Sequence, residues 1–202
     1  DSAMLSFCQN KIITTGDGGA MVTESRDLYE KMKLVRSHGR LETADYFSSC
    51  DTMDYVTLGY NFRLSNIAAS LGRAQLRKVD DLIRMRKDIA NRYLDQCTSN
   101  KVDITSLSPP DEYDNVYQLF SVRVPNRDGL MKHLTEKGIM SKIYFAPVHQ
   151  THYYQKVLGY TDSLPVTEKN SRDIISLPMY PGMPQQDVDT IVIEMAKFYE
   201  GR

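Results

Sequence analysis

From Ser65 to Leu94 the chain carries Ile67, Leu71, Ala74, Val79, Ile83, Ala90 and Leu94 at helical spacing, with charged residues between them. A run of this length is predicted helical, and it calls for a kink or two consecutive helices. Ser65 and Asn66 are good caps for its start. The flanking segments read differently, so the chain is not all-helical. Ala3 to Phe7 is short and mostly apolar, as for a buried strand. Thr14-Thr15-Gly16-Asp17-Gly18-Gly19 is a dense turn signal, and Ala20-Met21-Val22-Thr23 follows as a returning strand. Ser25 or Asp27 can cap the next helix, which carries Leu28, Met32 and Val35 and stops at Gly39. Leu41 to Thr57 has no clear period and is expected to be irregular.

The later part has its own pattern. Ser106-Leu107-Ser108-Pro109-Pro110 marks a linker. Val116 to Val124 alternates like a strand. Asn126 caps a helix that ends at Gly138, with Leu130 and Leu134 inward. Ile139 to Phe145 reads as another strand, Pro165 to Ile174 as a short helix, and Pro184 to Tyr199 as the last one. The order predicts an α/β chain: residues 1–97 with the long connecting helix, a linker at 98–115, and a small α+β domain at 116–202.

Composition narrows the class. The 202 residues are 41% hydrophobic and 25% charged, enough to bury a core. Formal net charge is −1 with the signs interspersed, unlike the basic footprint of a nucleic-acid binder. Cys8, Cys50 and Cys97 are scattered, which gives no zinc or redox spacing and fits a reducing compartment. No apolar run is long enough for a bilayer, and no signal peptide opens the chain at Asp1-Ser2-Ala3. A cytoplasmic protein without metal is expected.

Lys11 stands between an apolar strand and a glycine-rich turn, where functional side chains often sit in α/β proteins. A solvated surface lysine is the competing reading. The turn is neither a P-loop nor a dinucleotide fingerprint, so the local pattern leaves both readings open.

The wider pattern is more specific. Ser6-Phe7-x-x-Asn10-Lys11-x-x-Thr14-Thr15-Gly16-Asp17-Gly18-Gly19 resembles the cofactor-lysine segment of the DegT/DnrJ/EryC1/StrS sugar aminotransferases, which belong to the fold-type I pyridoxal phosphate enzymes. Arg36-Ser37-His38-Gly39 and Leu58-Gly59-Tyr60-Asn61-Phe62-Arg63-Leu64 resemble two further segments of that family. Ala68 to Leu76 resembles the helix that follows. Ala146-Pro147-Val148-His149 and Leu177-Pro178-Met179-Tyr180-Pro181 resemble two late signatures.

The resemblance implies the later part of a fold-type I large domain followed by a small α+β domain. It implies an aminotransferase that uses pyridoxal 5′-phosphate, a nucleotide-linked keto-sugar as acceptor, and glutamate or glutamine as donor. Lys11 would carry the cofactor as a Schiff base, Ser6 would bind its phosphate, and Asn61 would reach that phosphate from the partner subunit of a homodimer. Arg63 would sit near the site and favour an anionic group such as the donor carboxylate, and His149 would face the sugar. Tyr144 stands in Tyr144-Phe145-Ala146-Pro147, where the family often has histidine before Tyr-x-Pro, a departure bearing on substrate choice. Each residue has a plainer alternative: a satisfied strand end for Ser6, a turn former for Asn61, a surface charge for Arg63, and a buried structural histidine for His149. His38, His133 and His152 receive no role.

The family's glycine-threonine phosphate turn, its stacking aromatic and its pyridine-pairing aspartate have no match in this chain, so the 202 residues are expected to be catalytically incomplete alone. Two other readings share the fold. Sugar dehydratase relatives typically replace the lysine with histidine or cluster cysteines for an iron–sulfur centre, and Lys11 with scattered cysteines argues against that. A non-catalytic binding or regulatory protein is the other.

Overall fold

The computed structural model describes residues 1–41, 54–107, 109–110 and 112–201. Most of the stretch expected to be irregular, Leu41 to Thr57, lies outside them, as does Ser108 of the expected linker. The chain forms two compact units, Asp1–Val79 and Asp80–Arg202. This division falls upstream of the expected boundary at residues 97 and 98, because the longest helix contributes its buried face to the second unit.

In the first unit, β1 (Ser2–Ser6) pairs antiparallel with β2 (Gly19–Thr23), with Ser2 opposite Thr23 and Ser6 opposite Gly19. The expected strand is present but not buried: Met4, Leu5, Met21 and Val22 are exposed in this chain. α1 (Arg26–Arg36) starts at Ser25, whose Oγ accepts from the Leu28 N–H at 3.3 Å. Its end is closed three residues beyond Arg36 by Gly39, whose N–H returns to the Leu34 carbonyl. The long helical stretch is two helices, α2 (Asn66–Leu76) and α3 (Val79–Ser99). Ser65 caps α2 by accepting from the Ala68 N–H.

The second unit holds all the buried apolar side chains found among the described residues. Its sheet has the order β3 (Thr105–Ser106), β4 (Phe120–Arg123), β5 (Ile174–Leu177), with antiparallel neighbours. α4 (Arg127–Glu136), α5 (Pro165–Asp173) and α6 (Gln185–Glu200) complete it. Leu130 and Leu134 of α4 are fully buried, as their spacing predicts. The buried face of α3 is Arg86, Ile89, Ala90, Tyr93 and Cys97. Tyr93 stacks on Phe120 with centroids 4.7 Å apart and donates to the Pro178 carbonyl at 2.9 Å. Arg86 donates to the Tyr117 and Gln118 carbonyls, so its charge enters the interior with partners.

Two expected elements differ. Ile139 to Phe145 is not a strand: only Lys142 pairs, with Ser176. Ile174 begins β5 rather than closing a helix. No described helix is long and apolar enough to cross a membrane.

Candidate active site

The lysine segment is an excursion from the β1–β2 ladder. The Phe7 N–H donates to the Gly18 carbonyl at 2.9 Å and the Thr15 N–H to the Phe7 carbonyl at 3.0 Å, which closes its base. The Lys11 N–H donates to the Cys8 carbonyl at 3.0 Å, making a tight turn around the lysine. Lys11 is half-buried. Ser6 ends β1, and its Oγ accepts from the Cys8 N–H at 3.4 Å while its hydroxyl proton remains available as a donor. Gly18 must lack a side chain: its φ is +145°, and a Cβ would lie 2.7 Å from Thr15 Oγ1 and 2.9 Å from Leu64 Cδ1. The base of the lysine excursion therefore lies against the residue that follows Arg63.

Asn61 and Arg63 are held by a second crossing within the same unit. The Tyr60 N–H donates to the Val35 carbonyl, the His38 N–H to the Tyr60 carbonyl, and the Phe62 N–H to the Arg36 carbonyl. Asn61 is thereby bridged to Ser37. Arg63 Nε donates to the Oγ of the fully buried Ser37 at 3.3 Å. The segments resembling Arg-x-His-Gly and Gly-Tyr-Asn-x-Arg are thus one structure. Asn61 and Arg63 are exposed at it.

Tyr144 and His149 belong to the second unit. Tyr144 lines a cleft of about 540 Å³ together with Lys142, Ser176, Pro178 and Tyr180. Lys142 Nζ lies 5.6 Å from the centre of the Tyr144 ring. His149 is not among the residues lining that cleft. It is buried, with Nε2 3.2 Å from Glu168 Oε1. Glu168 also accepts from the Leu164 N–H at 2.8 Å and from Ser163 Oγ at 3.1 Å. The Leu164 N–H, with His149 next, holds the Glu168 carboxyl below the usual carboxylate range.

An amine, a hydroxyl, a primary amide and a guanidinium therefore belong to one unit, on two segments that meet at Gly18 and Leu64. None of the four is a carboxylate. Chemically, an amine suits attachment to an aldehyde cofactor, a hydroxyl or an amide suits its anionic phosphate, and a guanidinium suits a carboxylate or another anion. The sequence reading missed two residues that fix these segments, Ser37, which accepts from Arg63, and Gln75, which bonds the Thr14 backbone. Both lie inside quoted motifs, but their partners are distant in the chain and leave no local signal.

The chain belongs to the DegT/DnrJ/EryC1/StrS aminotransferase family, whose pattern it matches over residues 1–196. The family's aminotransferases are pyridoxal phosphate-dependent. The chain is 31% identical over 197 residues to GDP-perosamine synthase of Caulobacter vibrioides, covering 95% of this chain and 51% of that protein. Among solved structures it resembles Helicobacter pylori PseC, an aminotransferase involved in the biosynthesis of pseudoaminic acid, with TM-score 0.86 and 30% identity over 100% of this chain and 54% of that one. A DegT/DnrJ/EryC1/StrS aminotransferase from Brucella abortus gives TM-score 0.82 and 30% identity over 98% of this chain and 50% of that one. The chain thus spans about half the length of these relatives.

Proposed function

We propose that the parent protein is a pyridoxal phosphate-dependent aminotransferase that moves an amino group from glutamate or glutamine to a nucleotide-linked keto-sugar. The observation that carries this reading is Lys11, on a closed excursion beside Ser6, in a chain that matches the family in order over residues 1–196. The sugar-directed chemistry is supported by the relatives, one a GDP-perosamine synthase and one an aminotransferase of pseudoaminic acid biosynthesis.

The cofactor, when bound, supplies the electron sink that makes the amino donor's α-hydrogen acidic. Lys11 Nζ is the attachment point and the amine that moves a proton. Ser6 Oγ–H and the Asn61 amide bind the phosphate, Asn61 from the neighbouring subunit of a homodimer. Arg63, oriented by Ser37, binds the donor carboxylate. Tyr144 and His149 serve the sugar side, with His149 Nε2 set 3.2 Å from Glu168 Oε1. On this reading the 202 residues comprise the later part of the large domain and the small domain, and are inactive alone.

Full-length protein mixed with pyridoxal phosphate and reduced with borohydride is expected to carry its label on Lys11, and Lys11→Ala should abolish both label and transamination. A label on another lysine in folded, saturated protein would overturn the assignment.

A further inference from the structure

The excursion Phe7–Gly18 leaves the strand ladder, carries Lys11, and must return it to one place. The return limb is fixed from outside the hairpin, by α2. Gln75 Oε1 accepts from the Thr14 N–H at 3.0 Å, and Gln75 Nε2 donates to the Thr14 carbonyl at 2.9 Å. One side chain therefore closes both backbone groups of one residue, a task for a primary amide, which presents an acceptor and a donor side by side. Thr14 is further held by its own hydroxyl, which donates to the Phe7 carbonyl and accepts from the Gly16 N–H. One turn before Gln75, a Cβ on Gly72 would lie 2.9 Å from Thr15 Cγ2, so the missing side chain lets the helix approach.

We propose that Gln75 is a positioning residue for Lys11: its amide fork clamps Thr14, three residues beyond the lysine, and so fixes where the lysine amine is presented. This rests on Lys11 being the cofactor lysine. Gln75 itself touches neither cofactor nor substrate on this reading; it acts through the loop. A carboxylate of the same size at position 75 would keep the acceptor for the Thr14 N–H but set an oxygen against the Thr14 carbonyl. Protonating that carboxylate would restore the donor.

The test uses the full-length protein with pyridoxal phosphate as the probe. Two readouts are independent of turnover: the rate at which borohydride-reducible label accumulates on Lys11, and the midpoint pH of the bound cofactor's absorbance titration. Gln75→Ala is expected to slow labelling roughly tenfold and to move the midpoint. Gln75→Glu should show the same defect at neutral pH, with the gap to wild type closing as pH falls. It also carries the test if the alanine variant does not fold. Asp189→Asn, which weakens the Arg92–Asp189 fork of the second unit, is the stability control. Wild-type labelling rate and midpoint in both Gln75 variants would overturn the proposal, as would an equal change in Asp189→Asn at matched thermal stability. If the wild type does not label at Lys11, the cofactor-lysine reading fails and this proposal falls with it. If it does and the Gln75 variants match it, only this proposal fails.

Discussion

Gly39 decides how two segments of the first unit can cross. Its φ is +73°, and a Cβ there would lie 1.8 Å from the Thr57 carbonyl oxygen. Gly159 has a similar φ of +67° but open space around it. The two positions separate backbone strain from collision. Gly159→Ala is expected to cost about 1 kcal/mol of stability. Gly39→Ala adds a backbone clash and is expected to cost at least about 3 kcal/mol, read by urea unfolding of the full-length protein. Equal losses in the two variants would mean that the crossing relaxes freely. The same crossing bridges Asn61 to Ser37 and brings Arg63 to the Ser37 hydroxyl, so a folded Gly39 variant should also bind amino donor more weakly. The motif around Gly39 was legible in the sequence. Its contact with Thr57 was not, since nothing near Gly39 in the chain reports what crosses it. Gln75 is the stronger case, because its partner Thr14 is 61 residues away.

The helices followed their periodicity where packing agreed with composition. Leu130 and Leu134 point inward on α4 as expected, and Ser65 caps α2. On α3 the buried stripe includes Arg86 and Tyr93, which an apolar count passes over. Both enter the interior because backbone carbonyls accept their polar ends. β5 was missed because Ile175, Ser176 and Leu177 are all buried, so the strand has no alternating signature. α5 depends on Glu168, which reaches back to the Leu164 N–H at its start. Because that carboxyl is held below its ordinary range, its contribution is complete above about pH 5 and is lost as pH falls through the folded value. The thermal midpoint of the wild type should therefore drop further between pH 6 and pH 3 than that of Glu168→Gln. Parallel pH curves would show that the carboxylate adds nothing to the folded state.

The two units differ in self-sufficiency. The second has a continuous core from Ile89 to Met195, with Tyr93, Phe120, Leu130, Ile175 and Val192 at its centre. In the first, Leu58, Phe62 and Ile67 are exposed, and the buried positions among the described residues are Thr15, Ser37 and Gly39. Residues 80–202 alone are expected to unfold cooperatively in urea, whereas residues 1–79 alone should show no cooperative transition. A cooperative transition in the shorter piece, or none in the longer, would contradict this. Periodicity, caps and glycine turns act over a few residues, so the amino-acid order alone was enough for β1, β2, α1 and an interruption in the long helical stretch, while Lys11 became a candidate through the resemblance of its segment to the family. The division at residue 79, the burial of His149 against Glu168, the inward Arg86 and the Gln75–Thr14 clamp required the folded chain. Each depends on which distant group arrives to satisfy a polar atom or cover an apolar one, and that is settled only when the elements pack.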